Sequence, residues 1–204
     1  MEIVLASGSA WRRALLEGAG IPCRAVVPGV DEHAITGDSP ALVARARALA
    51  KARRVSAQLG PGAVVLGADQ VVHLDGSILG KPRDRGAHLA MLTALRGRTH
   101  ELVTAVALIP TGPGAGPPRS FEVTTTLTMR ADLGDLELAA YVDCGEASGC
   151  GGGYMVESLG AQLFSVVHGD WNNVIGLPLF RLIDELRELG WRPRFPLAAD
   201  RGPG

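Results

Sequence analysis

The sequence predicts a mixed α/β fold, with a twisted sheet flanked by helices. Short apolar runs typical of strands alternate along the chain with longer segments whose apolar residues recur at helical spacing. Glycine follows several of the helical segments and stops them. The 204 residues are 47% hydrophobic, which is enough for a well-buried core as one large domain or two tightly joined lobes.

The predicted strands are bounded by turn-forming residues. The second strand follows a glycine stop at Gly20, and Asp75-Gly76 predicts the turn of a hairpin over residues 73–79. The glycine- and proline-rich stretch 111–118 predicts a surface turn between the last two strands. Besides the hairpin, strands are predicted over residues 1–6, 23–27, 63–66, 99–109 and 121–129.

The predicted helices begin at capping residues and end near glycines. Ser39-Pro40 provides a cap and a first-turn proline for a helix rich in alanine and arginine, which runs to residue 59. Residues 168–173 are predicted as an architectural loop, and the tail after about residue 192 as loosely held. The other helices are predicted over residues 11–19, 85–95, 133–142 and 178–189.

Composition restricts the classes of function. A formal net charge of −1 and an aromatic content of 4% disfavour binding to a nucleic-acid polymer. Three cysteines without a Cys-x-x-Cys pair suit a reducing compartment better than a disulfide framework or a zinc site. No apolar stretch approaches membrane-spanning length, and the first residues lack the features of a signal peptide. We therefore expect a cytoplasmic protein without a membrane partner.

The start of the chain has the layout of an anion-binding site. An apolar run reaches Ala6, a turn of small residues carries Ser7 and Ser9, and a helical pattern then begins with Arg12 and Arg13. Free backbone N–H groups, hydroxyls and guanidiniums can converge on phosphate at such a helix N-terminus. We therefore expect a nucleotide polyphosphate as the ligand. The alternative is that one serine only caps the helix and the arginines are solvated.

Two later segments supply carboxylates. Asp31-Glu32 follows the second predicted strand, where at least one carboxylate could reach a divalent cation that bridges phosphates, or could lie in a solvated turn. Asp69 lies in Gly67-Ala68-Asp69-Gln70, which we place directly after the buried strand 63–66, at the rim of the sheet. There Asp69 could orient a water, accept its proton or hold a metal, or it could cap a turn.

Lysines complete the set of candidate phosphate contacts. Lys81 lies in Gly80-Lys81-Pro82 after the hairpin, and Lys51 lies on the longest predicted helix. Either lysine could instead be an ordinary surface residue. His100 is predicted to be a hydrogen-bonded structural histidine, and Cys150 has no identifiable partner base that would make it a nucleophile.

In their order and spacing these segments resemble the Maf family of nucleoside triphosphate pyrophosphatases over nearly the whole chain. The family opens with Leu-Ala-Ser-x-Ser-Pro-x-Arg, which residues 5–12 match except for Ala10 at the usual proline. The remaining matches are Asp31-Glu32, Lys51-Ala52, Gly67-Ala68-Asp69-Gln70, Gly80-Lys81-Pro82, Gly153-Tyr154 and Gly176-Leu177-Pro178-Leu179.

The resemblance implies hydrolysis between the α and β phosphates of a nucleoside triphosphate, with Mg²⁺ or Mn²⁺ as the cofactor. It also implies one domain over residues 1–204, with a nucleotide cleft between two lobes, as in Maf and ITPase-like folds. By resemblance, Asp69 is the proton acceptor, and Glu32 and Asp69 together handle metal and water. The residues that would neutralise and orient the triphosphate are Ser7, Ser9, Arg12, Arg13, Lys51 and Lys81.

Four positions bear on the choice of substrate. Family members resembling dTTP and UTP pyrophosphatases carry Asp-Thr in the third segment and a lysine before the later glycines. A branch resembling 7-methyl-GTP pyrophosphatase instead carries the residue types found here at Trp11, Gln70, Cys150 and Glu157. Trp11 could stack on a base and Glu157 could accept hydrogen bonds from a guanine edge, while Gln70 could donate and accept. Alternatively, Trp11 covers the core and the other two are solvated loop residues.

We therefore expect a pyrophosphatase acting on 7-methyl-GTP or other modified nucleotides. A dTTP/UTP pyrophosphatase and a broad house-cleaning hydrolase are the enzymatic alternatives. A nucleotide-binding regulator without turnover is the alternative of another class, although such a protein would not need a water-activating carboxylate. The sequence leaves a homodimer open.

Overall fold

A seven-stranded sheet forms the centre of the protein. The structure, a computed structural model, describes residues 1–147, 149–193 and 195. In this part of the chain the strands are β1 (Glu2–Ala6), β2 (Cys23–Ala25), β3 (Ala63–Leu74), β4 (Ser77–Leu79), β5 (Thr99–Pro110), β6 (Arg119–Met129) and β7 (Phe164–His168). The helices are α1 (Ala10–Gly18), α2 (Pro40–Ser56), α3 (Arg85–Leu95), α4 (Asp135–Asp143), α5 (Trp171–Ile175) and α6 (Leu179–Glu188), with 3₁₀ turns at Gly151–Gly153 and Leu159–Leu163.

The sheet is mixed, which confirms the predicted fold class. Its strand order is β2-β1-β3-β5-β6-β7, and β4 pairs with β3 off this path. Strand β1 runs parallel to β2 and β3, whereas the other pairings are antiparallel. Helices cover both faces of the sheet, because α2 packs on one side and α1 and α6 pack on the other.

A gap along one edge of β3 positions the site. The pairing of β1 with β3 ends at Ala6 and Gly67, and β4 joins the same strand only from Val72 onwards. Residues 68–71 pair with β5 on one side and, among the described residues, have no ladder partner on the other. Side chains from α1 and α2 can therefore reach the backbone of β3 at this point.

Helix α2 approaches β3 very closely at Gly67. Ser39 caps the helix by accepting a hydrogen bond from the backbone N–H of Leu42, and Pro40 occupies the first turn. A Cβ atom on Gly67 would lie 2.2 Å from the carbonyl oxygen of Ala48, so a larger residue there would push the helix away. This contact brings the second half of α2 against the middle of β3.

The alternation of side chains along β3 separates two faces. Val65 and Val71 belong to the apolar cluster under α2, whereas Leu66 and Ala68 belong to the cluster that contains residues of α1 and α6. Because successive side chains of a strand point to opposite faces, Asp69 lies on the α2 face and Gln70 on the α1 face. A third apolar cluster packs α3 and α4 against the far end of the sheet.

The structure corrects two predictions about the elements, and a third concerns residues that lie mostly outside its described part. The strand predicted over 63–66 continues to Leu74, so Asp69 lies inside a strand and not after its end, because β5 pairs with the whole segment. The sequence analysis missed β7 and α5, and Asp170 caps α5 within the stretch predicted as a loop. The other predicted elements agree to within three residues. Most of the predicted loose tail lies outside the described residues.

None of the helices in the described part of the chain is long and apolar enough to cross a lipid bilayer.

Candidate active site

The turn between β1 and α1 places two serines at a helix N-terminus. Ser9 is the N-cap of α1 and accepts a hydrogen bond from the backbone N–H of Arg12 at 3.3 Å. The buried Ser7 hydroxyl oxygen in turn accepts from the backbone N–H of Ser9 at 3.1 Å. Ser9 therefore caps α1, while its contact with phosphate stays a prediction. Each hydroxyl accepts these bonds and keeps its own hydrogen for donation.

Arg12 ties this turn to two other parts of the chain. Its Nη1 donates to the carbonyl oxygen of Ala68 at 3.0 Å, on the stretch of β3 that β1 leaves unpaired. Its Nε donates to the carbonyl oxygen of Gly176, between α5 and α6, at 2.9 Å. Burial lowers the pKa of Arg12, and the charges of Asp69 and Glu32 oppose that shift. Because arginine stays protonated in proteins, the site has a fixed cation beside the N-terminus of α1.

Lys51 links the two candidate carboxylates. Its Nζ lies 2.7 Å from Oδ1 of Asp69 and 2.9 Å from Oε2 of Glu32. The side chains of Lys51 and Asp69 are 5% and 6% exposed, whereas that of Glu32 is 44% exposed. The structure thus brings together three residues that the sequence analysis placed on a loop, a helix and a strand.

The surroundings of Asp69 and Glu32 shift their pKa values in opposite directions. Burial raises the pKa of Asp69, and the charge and hydrogen bond of Lys51 offset that shift only in part. Burial also disfavours ionised Glu32, but there the hydrogen bond and charge of Lys51 prevail and lower its pKa. Carboxylates with pKa values moved in opposite directions are typical of acid–base sites.

One oxygen of Asp69 is free. Oδ1 accepts the hydrogen bond of Lys51, while Oδ2 is buried and has no hydrogen-bond partner within the described residues. No cluster of three or more histidine, cysteine or acidic side chains suited to a metal occurs in that part of the chain. Two carboxylates, one with an unused oxygen, nevertheless fit a magnesium-type ion, which takes one or two protein carboxylates and completes its shell with substrate phosphates.

Arg47 is a site residue that the sequence analysis missed. It lies on α2 one turn before Lys51, and its Nη1 is 3.9 Å from Oδ2 of Asp69. Side chains four residues apart share a helix face, so the predicted helix together with Lys51 was a signal that could have identified it.

Gln70 lies on the opposite side of β3 from Asp69. Its side-chain nitrogen donates to the hydroxyl of Thr104 at 3.1 Å and to the carbonyl oxygen of Asn173 on α5. Asn173 is itself fully buried and donates to the carbonyl oxygen of Leu102. Gln70 is therefore held in place, and the alternative of a solvated loop residue is wrong.

Trp11 and Glu157 line one shallow pocket of about 420 Å³ beside α1 and α5. Asn172 and Leu179 also line this pocket, which we call the α1–α5 pocket. Trp11 is 48% exposed, and Glu157 is exposed as well. The structure thus brings together two of the three residues that we expect to select the base.

Arg13 and Lys81 lie apart from the buried cluster. Arg13 is exposed, and its Nε is 3.7 Å from Oε1 of Glu17 on the next turn of α1. Lys81 is exposed on the segment after β4, where the carbonyl oxygen of Gly80 accepts from the backbone N–H of Gly152 at 3.2 Å. Their contacts with phosphate therefore stay predictions.

His100 and Cys150 do not belong to the buried cluster. His100 is buried, with Nε2 2.6 Å from the hydroxyl oxygen of Tyr154, and burial lowers its pKa to about 4. Burial raises the pKa of the Cys150 thiol, and Glu157 adds to that shift. A protonated thiol is a poor nucleophile, in agreement with the sequence analysis.

Comparison with known proteins identifies the family. Residues 2–189 match the family described as Maf-like protein. A dTTP/UTP pyrophosphatase of Symbiobacterium thermophilum is 41% identical over 190 residues, which cover 93% of this chain and 95% of that protein. A 7-methyl-GTP pyrophosphatase of Xanthomonas oryzae pv. oryzae is 40% identical over 192 residues, covering 93% and 97% respectively.

A solved structure supports the fold. A HAM1 protein from Coxiella burnetii superposes with a TM-score of 0.54 at 18% identity, covering 92% of this chain and 99% of that one. This likeness concerns the fold alone, since the identity is low. The family match spans nearly the whole chain and agrees with the motifs from Ser7 to Leu179, so the chain belongs to the Maf family.

Proposed function

We propose that this protein is a nucleoside triphosphate pyrophosphatase that hydrolyses the α–β phosphoanhydride and yields a nucleoside monophosphate and pyrophosphate. The observation that carries the proposal is the buried Asp69, which has one oxygen on Lys51 and the other free, beside the N-terminus of α1. Relatives about 40% identical to this chain are named pyrophosphatases of nucleoside triphosphates.

The cations and the helix N-terminus would hold the triphosphate. The leaving pyrophosphate gathers negative charge in the transition state. Preorganised hydrogen-bond donors stabilise that charge without having to move. Arg12 is already fixed by two backbone carbonyl groups, and Lys51 by two carboxylates. The proposed phosphate contacts are Ser7, Ser9, Arg12, Arg13, Lys51 and Lys81.

Asp69 would act on the attacking water. As the water oxygen bonds to phosphorus, a proton passes from the water to the free Oδ2 of Asp69, and the bridging P–O bond breaks with its electron pair on the leaving group. A pKa that burial raises makes this carboxylate a stronger base. Glu32, whose pKa is lowered, stays ionised beside it.

A divalent metal, Mg²⁺ or Mn²⁺, fits the same carboxylates. Glu32 and Asp69 would hold it together with oxygens of the substrate. When bound, the ion would neutralise phosphate charge during the reaction.

We propose 7-methyl-GTP or another modified nucleotide as the substrate. The α1–α5 pocket supports this choice, because Trp11 could stack on a purine and Glu157 could accept hydrogen bonds from a guanine edge. Gln70 is held on the same side of β3. Relatives named for dTTP/UTP and for 7-methyl-GTP are 41% and 40% identical to this chain, so dTTP or UTP is the alternative.

Two further expectations belong to this proposal. The cysteines Cys23, Cys144 and Cys150 are free thiols, which suits the reducing cytoplasm. We also propose that residues 1–204 form one domain, whose two lobes meet at the site.

The test is release of pyrophosphate from 7-methyl-GTP, GTP, dTTP, UTP and CTP, with Mg²⁺ or Mn²⁺. Wild type is compared with Asp69→Asn, which removes the base but keeps the shape of the side chain. Loss of a general base is expected to lower kcat by about 10²- to 10⁴-fold. Asp132→Asn is the matched control, because Asp132 pairs with Arg130 on the exposed surface.

Each outcome has a distinct meaning. Preference for 7-methyl-GTP that disappears in Asp69→Asn supports both the activity and the substrate. Preference for dTTP or UTP refutes the substrate and keeps the activity. Binding without any turnover favours a nucleotide-binding regulator and refutes the enzyme.

A further inference from the structure

Arg47 is a partly buried cation whose hydrogen-bonding capacity is largely unused. Its side chain is 20% exposed, and its Nε is buried without a hydrogen-bond partner within the described residues. Nη2 lies 3.4 Å from the carbonyl oxygen of Ile35, at the outer limit of a hydrogen bond. Nη1 lies 3.9 Å from Oδ2 of Asp69, which is too long for a hydrogen bond.

Unpaired polar atoms of Arg47 and Asp69 destabilise the fold unless another molecule bonds to them. Oδ2 of Asp69 is also buried without a partner, so two complementary groups face each other and do not bond. An unpaired buried donor keeps its desolvation penalty, and a charged one keeps more of it. Arg12 in the same site differs, because its Nε and Nη1 both donate to backbone carbonyl groups.

The charges of the cluster favour an anion as that partner. Arg12, Arg47 and Lys51 face two carboxylates, Glu32 and Asp69, so one positive charge is in excess. Without Arg47 the charges would balance. Two neighbouring terminal nitrogens that are both weakly engaged suit the forked geometry with which arginine binds phosphate.

We infer that Arg47 is an additional phosphate-binding residue, whose guanidinium bonds to the pyrophosphate part of the substrate and to the pyrophosphate product. This inference rests on the proposed function, since it assigns one more residue to the same site. Its contact with the loop after Glu32, through Ile35, would tighten that loop around the bound phosphates.

The experiment measures binding of inorganic pyrophosphate by calorimetry, and KM and kcat for the preferred triphosphate. The variants are Arg47→Gln and Arg47→Lys, and each is checked for folding by thermal unfolding. Arg45→Gln is the matched control, because Arg45 lies on the same helix but pairs with Glu122 at 2.9 Å and is half exposed.

Arg47→Gln is expected to weaken pyrophosphate binding about tenfold or more, the change that follows the loss of one charge-assisted hydrogen bond. Arg47→Lys should restore part of the affinity, while Arg45→Gln should bind as wild type does. A purely structural role would lower the unfolding temperature and leave pyrophosphate binding unchanged.

The outcomes separate this inference from the proposed function. Wild-type turnover with equal pyrophosphate affinity in Arg47→Gln overturns the role of Arg47 and keeps the enzyme. A wild-type protein that neither binds pyrophosphate nor hydrolyses any triphosphate overturns both.

Discussion

The proposed phosphate side of the site is the cluster around Asp69, and the proposed base side is the α1–α5 pocket. These two regions are built differently. Around Asp69 the charged groups are buried and fixed by short contacts, such as the 2.7 Å pair with Lys51. In the α1–α5 pocket, Trp11 and Glu157 are exposed, and the pocket is open on a surface that also includes Leu179. Under the proposed function, the reaction and the choice of base would therefore depend on separate sets of residues.

This separation has a physical reason. Phosphates are common to all nucleoside triphosphates, and a buried, preset charge cluster stabilises the transition state because it needs no reorganisation. The base differs between substrates, and a shallow pocket can change its few contacts without disturbing the core. Relatives of similar identity can therefore carry different substrate names.

The largest effect is expected from the substitution Lys51→Met, which breaks the buried ion pair between Lys51 and Asp69. Removing Lys51 leaves the buried Asp69 without its hydrogen-bonded cation, which should lower the free energy of unfolding by about 3 kcal/mol. Turnover should fall about a hundredfold or more, because a preset cation is lost. Urea denaturation and the pyrophosphate-release assay measure the two effects.

The double variant Lys51→Met/Asp69→Asn provides the control. With both charges removed, much of the stability should return, whereas activity should stay low. Stability losses that simply add would contradict a coupled pair.

The second effect is a pH dependence of stability that arises from His100, which is buried against Tyr154 outside both regions. The folded pKa of His100 is about 4, below its ordinary value near 6.5, so the neutral form stabilises the fold. That contribution is complete above pH 6.5 and is lost as the pH falls towards 4. Between pH 7 and pH 5 the loss should be about 2 kcal/mol.

Urea unfolding at several pH values tests this prediction. His100→Gln cannot titrate, so its stability should depend less on pH than that of wild type. Parallel pH profiles for the two proteins would show that His100 does not cause the loss.

The third effect should appear on the base side alone. Trp11→Ala removes the stacking surface and is expected to raise KM for the preferred triphosphate about tenfold, with kcat nearly unchanged. Trp171→Ala is the matched control, because Trp171 is also 48% exposed but does not line the α1–α5 pocket. Equal KM values for both variants would remove Trp11 from substrate selection.

The smallest effect is expected for Arg13, and it tests whether this exposed residue belongs to the proposed phosphate side. Arg13 pairs with Glu17 on the surface, so Arg13→Gln should lower kcat/KM only about threefold, the scale of a screened surface contact. Arg12→Gln, which removes the anchored guanidinium, should lower it by about a hundredfold. Steady-state kinetics at two salt concentrations compares them, and losses of equal size would place Arg13 inside the cluster.

Most of the fold could be predicted from local signals. The cap and first-turn proline of α2 and the Asp75-Gly76 turn are encoded by neighbouring residues, and the structure confirms both elements. The extension of β3 through Asp69 could not be predicted in this way. Its apolar pattern breaks at Gly67, and the strand continues because β5 pairs along its whole length.

The candidate site was predictable to a different degree on its two sides. Asp69, Lys51 and Glu32 were identified from the order of motifs, and the structure brings them into contact. Arg47 was missed, because its position on the same face of α2 as Lys51 mattered only once that face was known to meet Asp69.

By itself the sequence determined the family, the mixed fold class and the residue types of the proposed phosphate side, because these depend on local patterns and on the order of motifs. Only the tertiary structure decided which cations reach Asp69. The close approach of α2 at Gly67 places Lys51 and Arg47 against one carboxylate, while Arg13 turns to Glu17. Burial then raises the pKa of Asp69, whereas the contact with Lys51 lowers that of Glu32. Both the burial and the contact depend on packing between segments far apart in the chain.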